Sequence, residues 1–376
     1  MNELPLFDDF ERIVLEQRPL IDTRAPVEFA EGAFPGAVNL PLMTDAERAA
    51  VGTCYKQHGN DAAVRLGHEL VNETVRRPRI EAWAEFQRRH PDALLYCFRG
   101  GQRSAIAQRW LAEYAGQVIP RLRGGYKAFR RYLIDQLAGP LPAGLQRLPR
   151  FVLGGLTGVG KTRLLKQLEH VVDLEGLAHH RGSAFGRHLD PQPTPIAFEN
   201  ALAYALIRFL HADHPWLLFE DEGKRIGALN LPAEIYHGLY EGARRIVLEA
   251  PLETRIDITL AEYVTEAQSK WLAREPENGL ERWHENMRDS FQRIRKRLGG
   301  ARHQELLRRF ELAWQYQRQH DDPVAHRDWI AYLLTEYYDP MYAYQMARSP
   351  LPIAFRGEAQ AVRQWLAEQE AATPSV

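Results

Sequence analysis

The stretch "FVLGGLTGVGKTRLLKQLEH", residues 151–170, constrains this chain more than any other. An apolar run leads into Gly155-Leu-Thr-Gly-Val-Gly160-Lys161-Thr162, which fits G-x-x-x-x-G-K-[ST] without a gap, and a Leu-rich helical run follows. Gly155, Gly158 and Gly160, with Thr157 between them, let the backbone wrap close to phosphate oxygens, and N–H groups at the helix start face the anion. Lys161 meets the terminal phosphate charge, and the Thr162 hydroxyl suits Mg²⁺. A diphosphate fits such a cradle as well as a nucleoside triphosphate, and no segment of the chain demands a purine.

The acidic partner of such a loop is expected at the end of a neighbouring strand. "PWLLFEDEGKRIG" supplies Glu220, Asp221 and Glu222 directly after an apolar run. Asp221 is the preferred choice, and Thr162 with Asp221 is the expected pair should Mg²⁺ bind. No tightly bound cofactor is expected.

Around that loop the chain reads as α/β. "RPLIDTR" and "DALLYCF" before residue 138, then "VVDLEG", "PWLLFED" and "RIVLEAP" after residue 150, are strand-like runs alternating with helical spacing. Between them "LAGPLPAGLQRLPR" holds three prolines and two glycines and reads as a linker. The pattern therefore predicts an α/β domain of parallel strands over 1–138, a linker over 139–149, a phosphate-loop α/β domain over 150–265 and a helical extension over 266–376. At 376 residues the chain is comfortable as two domains. No apolar run approaches the roughly eighteen residues of a membrane span, and the acidic start "MNELPLFDDF" lacks a signal pattern. Two cysteines cannot form a disulfide framework here, so a reducing cytoplasm and no membrane are expected. The sequence does not set the oligomeric state.

One of those cysteines sits at a telling junction. Cys97 ends the run "ALLYC", and Phe98, Arg99, Gly100, Gly101, Gln102 and Arg103 lead to a helix expected near Ser104. Two glycines let the loop curl so that its N–H groups converge above the sulfur. Those donors, together with Arg99 and Arg103, favour an anion, and the thiolate is the nucleophilic anion of cysteine. Cys54, in "VGTCYKQHG", has no such setting.

"LIDTRAPVEFAEGAFPGAVNLPL", residues 20–42, resembles the opening signature of rhodanese domains, and "LRGGYKAFRRYL" resembles their close. Asp22 and Arg24 are expected to brace that fold. The family's active cysteine, which carries sulfur as a persulfide, lies where Cys97 lies. The C-x5-R loop is one residue longer than in sulfur carriers and resembles the phosphatase-like relatives, which enclose a tetrahedral oxyanion. Phosphate ester hydrolysis and chalcogen transfer from a phosphate-bearing donor both remain open at this point.

The order of the two halves, with "DLEGLAHHRGSAFG", "FEDEGKRIG" and "LLTEYYDPMYAYQ", resembles the tRNA 2-selenouridine synthases nearly throughout. The resemblance implies selenium-for-sulfur exchange at the wobble 2-thiouridine of tRNAs for lysine, glutamate and glutamine. It implies selenophosphate as donor and prior S-geranylation by geranyl diphosphate. It also implies Cys97 as a selenopersulfide carrier.

Residues 282–309 hold nine Lys/Arg against three Asp/Glu. Arg293, Arg295, Lys296 and Arg297 are therefore candidate tRNA phosphate contacts, with Trp283, Tyr337, Tyr338 and Tyr342 available to stack a splayed base. His179 to Ser183, "HHRGS", is a second candidate phosphate, tRNA or metal contact. The competing readings are a P-loop kinase or NTPase regulated by a rhodanese-like domain, a phosphatase and a non-catalytic RNA-binding module.

Overall fold

The computed structural model describes residues 4–180, 185, 189–348 and 351–372. The chain divides into two compact units, residues 1–142 with 193–212, and residues 143–192 with 213–376. Each is built on a five-stranded sheet.

The first sheet joins β1 (Leu6–Phe7), β2 (Leu20–Asp22), β3 (Ala37–Asn39), β4 (Leu94–Tyr96) and β5 (Arg121–Leu122) in the order β1-β5-β4-β2-β3, all parallel. Strands flanked by helices on both faces need continuous apolar runs, and β2 and β4 are buried at every position. The register Asp22↔Tyr96 brings the ends of β2 and β4 to one edge of the sheet, where Cys97 emerges. Its core gathers Ile21, Trp83, Leu95, Trp110 and Leu111.

The second sheet joins β6 (Arg150–Gly155), β7 (Val171–Val172), β8 (Leu217–Glu220), β11 (Arg244–Leu248) and β12 (Ile353–Gly357) in the order β12-β11-β6-β8-β7, again parallel. A separate hairpin pairs β9 (Arg225–Ile226) with β10 (Leu229–Asn230). In both sheets the candidate loop follows the central strand, β4 or β6, at the carboxyl edge where parallel sheets bind ligands.

Three sequence expectations change. The stretch predicted as a linker folds over Pro140–Gln146 into a short helix. Proline is tolerated in a first helical turn, and Leu141 and Leu145, one turn apart, are both buried. The extension beyond residue 265 is helical except for β12, which returns to the sheet as its edge. β12 is half-exposed and has no strong apolar run to announce it. The helix Pro195–His211 falls between β7 and β8 in the chain, yet it belongs to the first unit.

The helical part of the second unit packs around Trp283, Phe291, Phe310 and Trp329. It contains two π-helical turns, Ala261–Thr265 and Leu334–Tyr338. No helix among the described residues is long and apolar enough to cross a membrane.

Candidate active site

Cys97 follows β4 directly and is 3% exposed. Its Sγ lies 3.2 Å from Ser104 Oγ, and that hydroxyl also lies 3.2 Å from the Gly101 carbonyl oxygen. The helix begins at Gln102 with Gly101 as its N-cap, earlier than the expected Ser104, so the first helical turn already stands beside the sulfur.

The loop is clamped from one side. Tyr126 N–H donates to the Cys97 carbonyl at 2.9 Å, Lys127 N–H to that of Phe98 at 2.9 Å, and Arg121 Nη1 to that of Gly100 at 2.5 Å. In a trans peptide the next N–H points opposite its carbonyl. Pinning these three therefore aims the N–H groups of Phe98, Arg99 and Gly101 away from the clamp, as an anion-binding loop requires. The clamp demands glycine at Gly100 (φ +62°), where a Cβ would stand 2.7 Å from the Leu122 carbonyl oxygen. Gly125 (φ +60°) is tighter still, since its Cβ would enter the space of the Cys97 carbonyl oxygen and the Gly100 nitrogen. This is the physical content of "LRGGYKAF".

The two arginines expected beside the sulfur differ in their surroundings. Arg103 makes a two-pronged ion pair with Glu28, at 2.6 and 3.1 Å, while Arg99 is exposed, as are Gly101 and Gln102. Burial works against the Glu28 charge. The Arg103 bonds, the Ala25 N–H and Arg48 outweigh it and hold the carboxyl below its ordinary range. Asp22 and Arg24 form a buried pair at 2.7 Å, and Arg24 stacks 3.8 Å from the Tyr126 ring centroid, a bracing arrangement.

In the second unit, Thr157, Gly158, Gly160, Lys161 and Thr162 line a small cavity of about 60 Å³ shared with Glu175, Glu222 and Tyr342. Gly155 (φ +144°) must be glycine, because a Cβ would stand 2.5 Å from the Leu248 carbonyl oxygen. Lys161 Nζ donates to the Gly155 carbonyl at 3.2 Å and lies 5.8 Å from the Tyr342 ring centroid. The following helix is short, Lys161–Leu165.

Sequence reasoning missed the residues that hold this loop. Arg255, buried, donates through Nε to the Thr157 carbonyl at 2.9 Å and grips Asp339 through both Nη atoms at 3.0 and 2.5 Å. Asp339 lies in "LLTEYYDPMYAYQ", but no local spacing links it to Arg255 across 84 positions.

The three strand-end acids separate. Glu220 is fully buried and accepts from the Leu174 N–H at 3.0 Å; burial, then the charges of Asp173 and Glu175, push its carboxyl well above the usual range. Asp221, the preferred metal partner, pairs with Arg245 at 2.6 Å and does not line the loop cavity. Glu222 does line it. Burial, then the charge and hydrogen bond of Glu175, push its carboxyl up to about 9 against the pull of Lys161. Tyr240, through its hydroxyl, receives the Gly223 N–H at 3.0 Å and fixes the turn that follows.

Arg293, Arg295, Lys296 and Arg297 are exposed on the helix Gly279–Leu298, opposite the buried Trp283, Met287 and Phe291. The aromatic expectation is corrected. Trp283, Tyr337 and Tyr338 are core side chains at 0%, 7% and 1% exposure and cannot stack a base, whereas Tyr342 faces the phosphate-loop cavity. His180 is buried and His179 Nδ1 meets the Pro191 carbonyl at 3.3 Å. Arg181, Gly182 and Ser183 lie outside the described residues. Among the described residues no group of three or more His, Cys, Asp or Glu is arranged to hold a metal ion.

The rhodanese-like domain family matches residues 7–132, and the family described as tRNA 2-selenouridine synthase AAA domain matches residues 148–373. Proteins named tRNA 2-selenouridine synthase from Hydrogenovibrio crunogenus and Sulfurovum sp. are both 53% identical to this chain, over 97% and 98% of its length and 99% and 100% of theirs. That of Hahella chejuensis is 50% identical over 98% of this chain and 96% of its own. These matches span nearly the whole of this chain and of each relative, and the chain belongs to the tRNA 2-selenouridine synthase family.

Proposed function

We propose that this protein is a tRNA 2-selenouridine synthase acting in the cytoplasm. It exchanges sulfur for selenium at the wobble 2-thiouridine of tRNAs for lysine, glutamate and glutamine. The route runs through S-geranyl-2-thiouridine, with geranyl diphosphate and selenophosphate as co-substrates. The observation that carries the reading is a cysteine at the head of a C-x5-R loop and a phosphate loop with its lysine in one chain, within a family match over almost its whole length.

The phosphate loop serves geranylation: Lys161 takes the charge that grows on departing diphosphate, and the loop N–H groups take its oxygens. A divalent cation fits this cavity only in part. Thr162, Glu175 and Glu222 would hold it, with substrate oxygens completing the shell, and its charge would favour ionised Glu222.

The Cys97 loop serves selenation. S-alkylation turns the thiocarbonyl into a thioimidate whose ring carbon accepts a nucleophile and releases geranylthiolate. With Cys97 as carrier, its thiolate attacks selenium, the Se–P bond breaks with its electrons on phosphorus, and phosphite leaves. Cys97–S–Se⁻ then attacks the ring carbon and expels geranylthiolate. A cellular thiol opens the S–Se bond, which frees 2-selenouridine and leaves a mixed disulfide that a second thiol reduces. Direct attack by selenophosphate followed by hydrolysis would instead leave phosphate and need no thiol. Phosphorus NMR of a single turnover separates the two: phosphite with thiol dependence supports the carrier role, and phosphate without it removes that role.

The overall function is tested by mass spectrometry of wobble nucleosides from cells lacking the protein. Loss of 2-selenouridine is expected, and an unchanged level refutes the proposal. Cys97→Ser should keep geranylation and Lys161→Ala should lose it; the reverse pattern would exchange the roles of the loops.

A further inference from the structure

A cleft of about 580 Å³ opens in the first unit beside the Cys97 loop. One wall is the start of the helix Gln102–Ala115, through Gln102, Arg103, Ile106 and Trp110. The other is a hairpin of the helices Asp45–His58 and Asn60–Leu70. The first hairpin helix is well capped by Thr44 and Glu47, yet none of its fourteen residues is buried. Helices in proteins owe most of their stability to burying an apolar face. Here that face, with Val51 and the 58% exposed Tyr55, looks into the cleft.

The remaining lining is apolar at depth, with Leu42, Ala63 and Val71 buried and Val64 half-buried. The rim is cationic. Arg48 and Lys56 stand on the hairpin helix and Arg103 at the end next to the sulfur loop, with Glu28 the carboxylate that meets Arg48 and Arg103. The volume lies in the ~300–1,000 Å³ range of small-molecule sites. A hydrocarbon floor, a basic mouth and a sulfur loop at one end together fit a branched hydrocarbon chain attached to a polyanion.

We propose that this cleft holds the geranyl chain of S-geranyl-2-thiouridine while selenium is exchanged at the Cys97 loop, with Arg48 and Lys56 taking phosphates of the same tRNA. The inference rests on the function proposed above. It gives the long chain a purpose, since an alkyl thiolate leaves about equally well whatever its length. The geranyl group is then a handle that seats the ring carbon rather than a better leaving group.

The test compares selenation of tRNA carrying S-geranyl or S-methyl 2-thiouridine by wild type and by Val51→Gln/Val64→Gln. Wild type should favour the geranyl substrate in kcat/KM by ~tenfold or more, as burial of several methylenes predicts. The double variant should lose most of that preference by slowing only the geranyl substrate. A preference that survives in the folded variant, or is missing in wild type, overturns the proposal. So does a parallel fall in geranylation from geranyl diphosphate, which would give the cleft to the donor instead. Wild type that selenates neither substrate would sink the function and this proposal together. A tRNA bearing a diazirine at the chain end gives a readout independent of variant folding: labelling within residues 42–71 or 102–110 supports the cleft, and labelling elsewhere refutes it.

Discussion

Gly125→Ala should unseat the Cys97 loop, and Gly36→Ala is its internal control. Both glycines have positive φ, +60° and +73°, so alanine at either costs about 1–2 kcal/mol of left-handed strain. Both substitutions also restrict the unfolded chain to the same degree, and that gain cancels in the comparison. They differ in surroundings. A Cβ at Gly36 meets nothing within 4 Å, whereas one at Gly125 comes under 3.0 Å from the Cys97 carbonyl oxygen and the Gly100 nitrogen. Relieving that overlap adds about 1–3 kcal/mol. At roughly 3 °C per kcal/mol for a unit of this size, Gly125→Ala should lower Tm by about 3–9 °C more than Gly36→Ala. Thermal unfolding by circular dichroism reads the difference, and the alkylation rate of Cys97 by iodoacetamide reads the loop. Faster alkylation is expected in Gly125→Ala alone, because the native sulfur is nearly covered. Equal Tm values and equal alkylation in the two variants would refute the clamp.

Three further outcomes follow from the charges at the two loops and on the basic helix. Glu222 holds its proton up to about 9 when folded but only to the ordinary carboxyl range near 4.5 when unfolded, so the folded state binds more protons between those values. Its contribution is therefore present at low pH and lost as pH rises through that window; Glu222→Gln should flatten the fall in Tm between pH 5 and 9, and an unchanged slope would contradict the burial argument. Glu28→Gln frees Arg103 and Arg48 from their shared carboxylate, so Cys97 should react faster with anionic iodoacetate relative to neutral iodoacetamide, and a constant ratio would show that neither guanidinium reaches the sulfur. Replacing Arg295, Lys296 and Arg297 together by alanine should weaken tRNA binding and reduce its log–log salt slope by about 0.7–0.9 for each tRNA phosphate no longer neutralised; an unaltered slope would place the tRNA elsewhere.

What the sequence disclosed was what local spacing can hold. The phosphate loop and the Cys97 junction are each contiguous, and both stand at the ends of the strands that their apolar runs announce. What it withheld depends on pairing across the chain. Asp221 was preferred to Glu222 from the sequence, yet Arg245, 24 positions away, pairs with it and Glu222 lines the loop cavity instead. Trp283, Tyr337 and Tyr338 looked like stacking surfaces because a one-dimensional pattern cannot say which way a helix turns. Arg255 and Asp339, which steady the phosphate loop, carry no motif of their own. The cleft wall was invisible for the opposite reason: Asp45–His58 reads as an ordinary polar helix, and only its lack of buried residues marks it.

The helix Pro195–His211 has a practical consequence. Tyr204 packs 5.9 Å from Phe129, Arg130 bonds Asn200 at 3.0 Å, and Asn200 Nδ2 reaches the Ala33 carbonyl at 2.9 Å. Severing the polypeptide after residue 142 would strip Phe129 of that cover, while the other fragment would carry an orphaned apolar rod between β7 and β8. Neither half can be excised cleanly, so the two chemistries are best dissected by point substitution, or by grafting residues 193–212 onto the end of the first fragment.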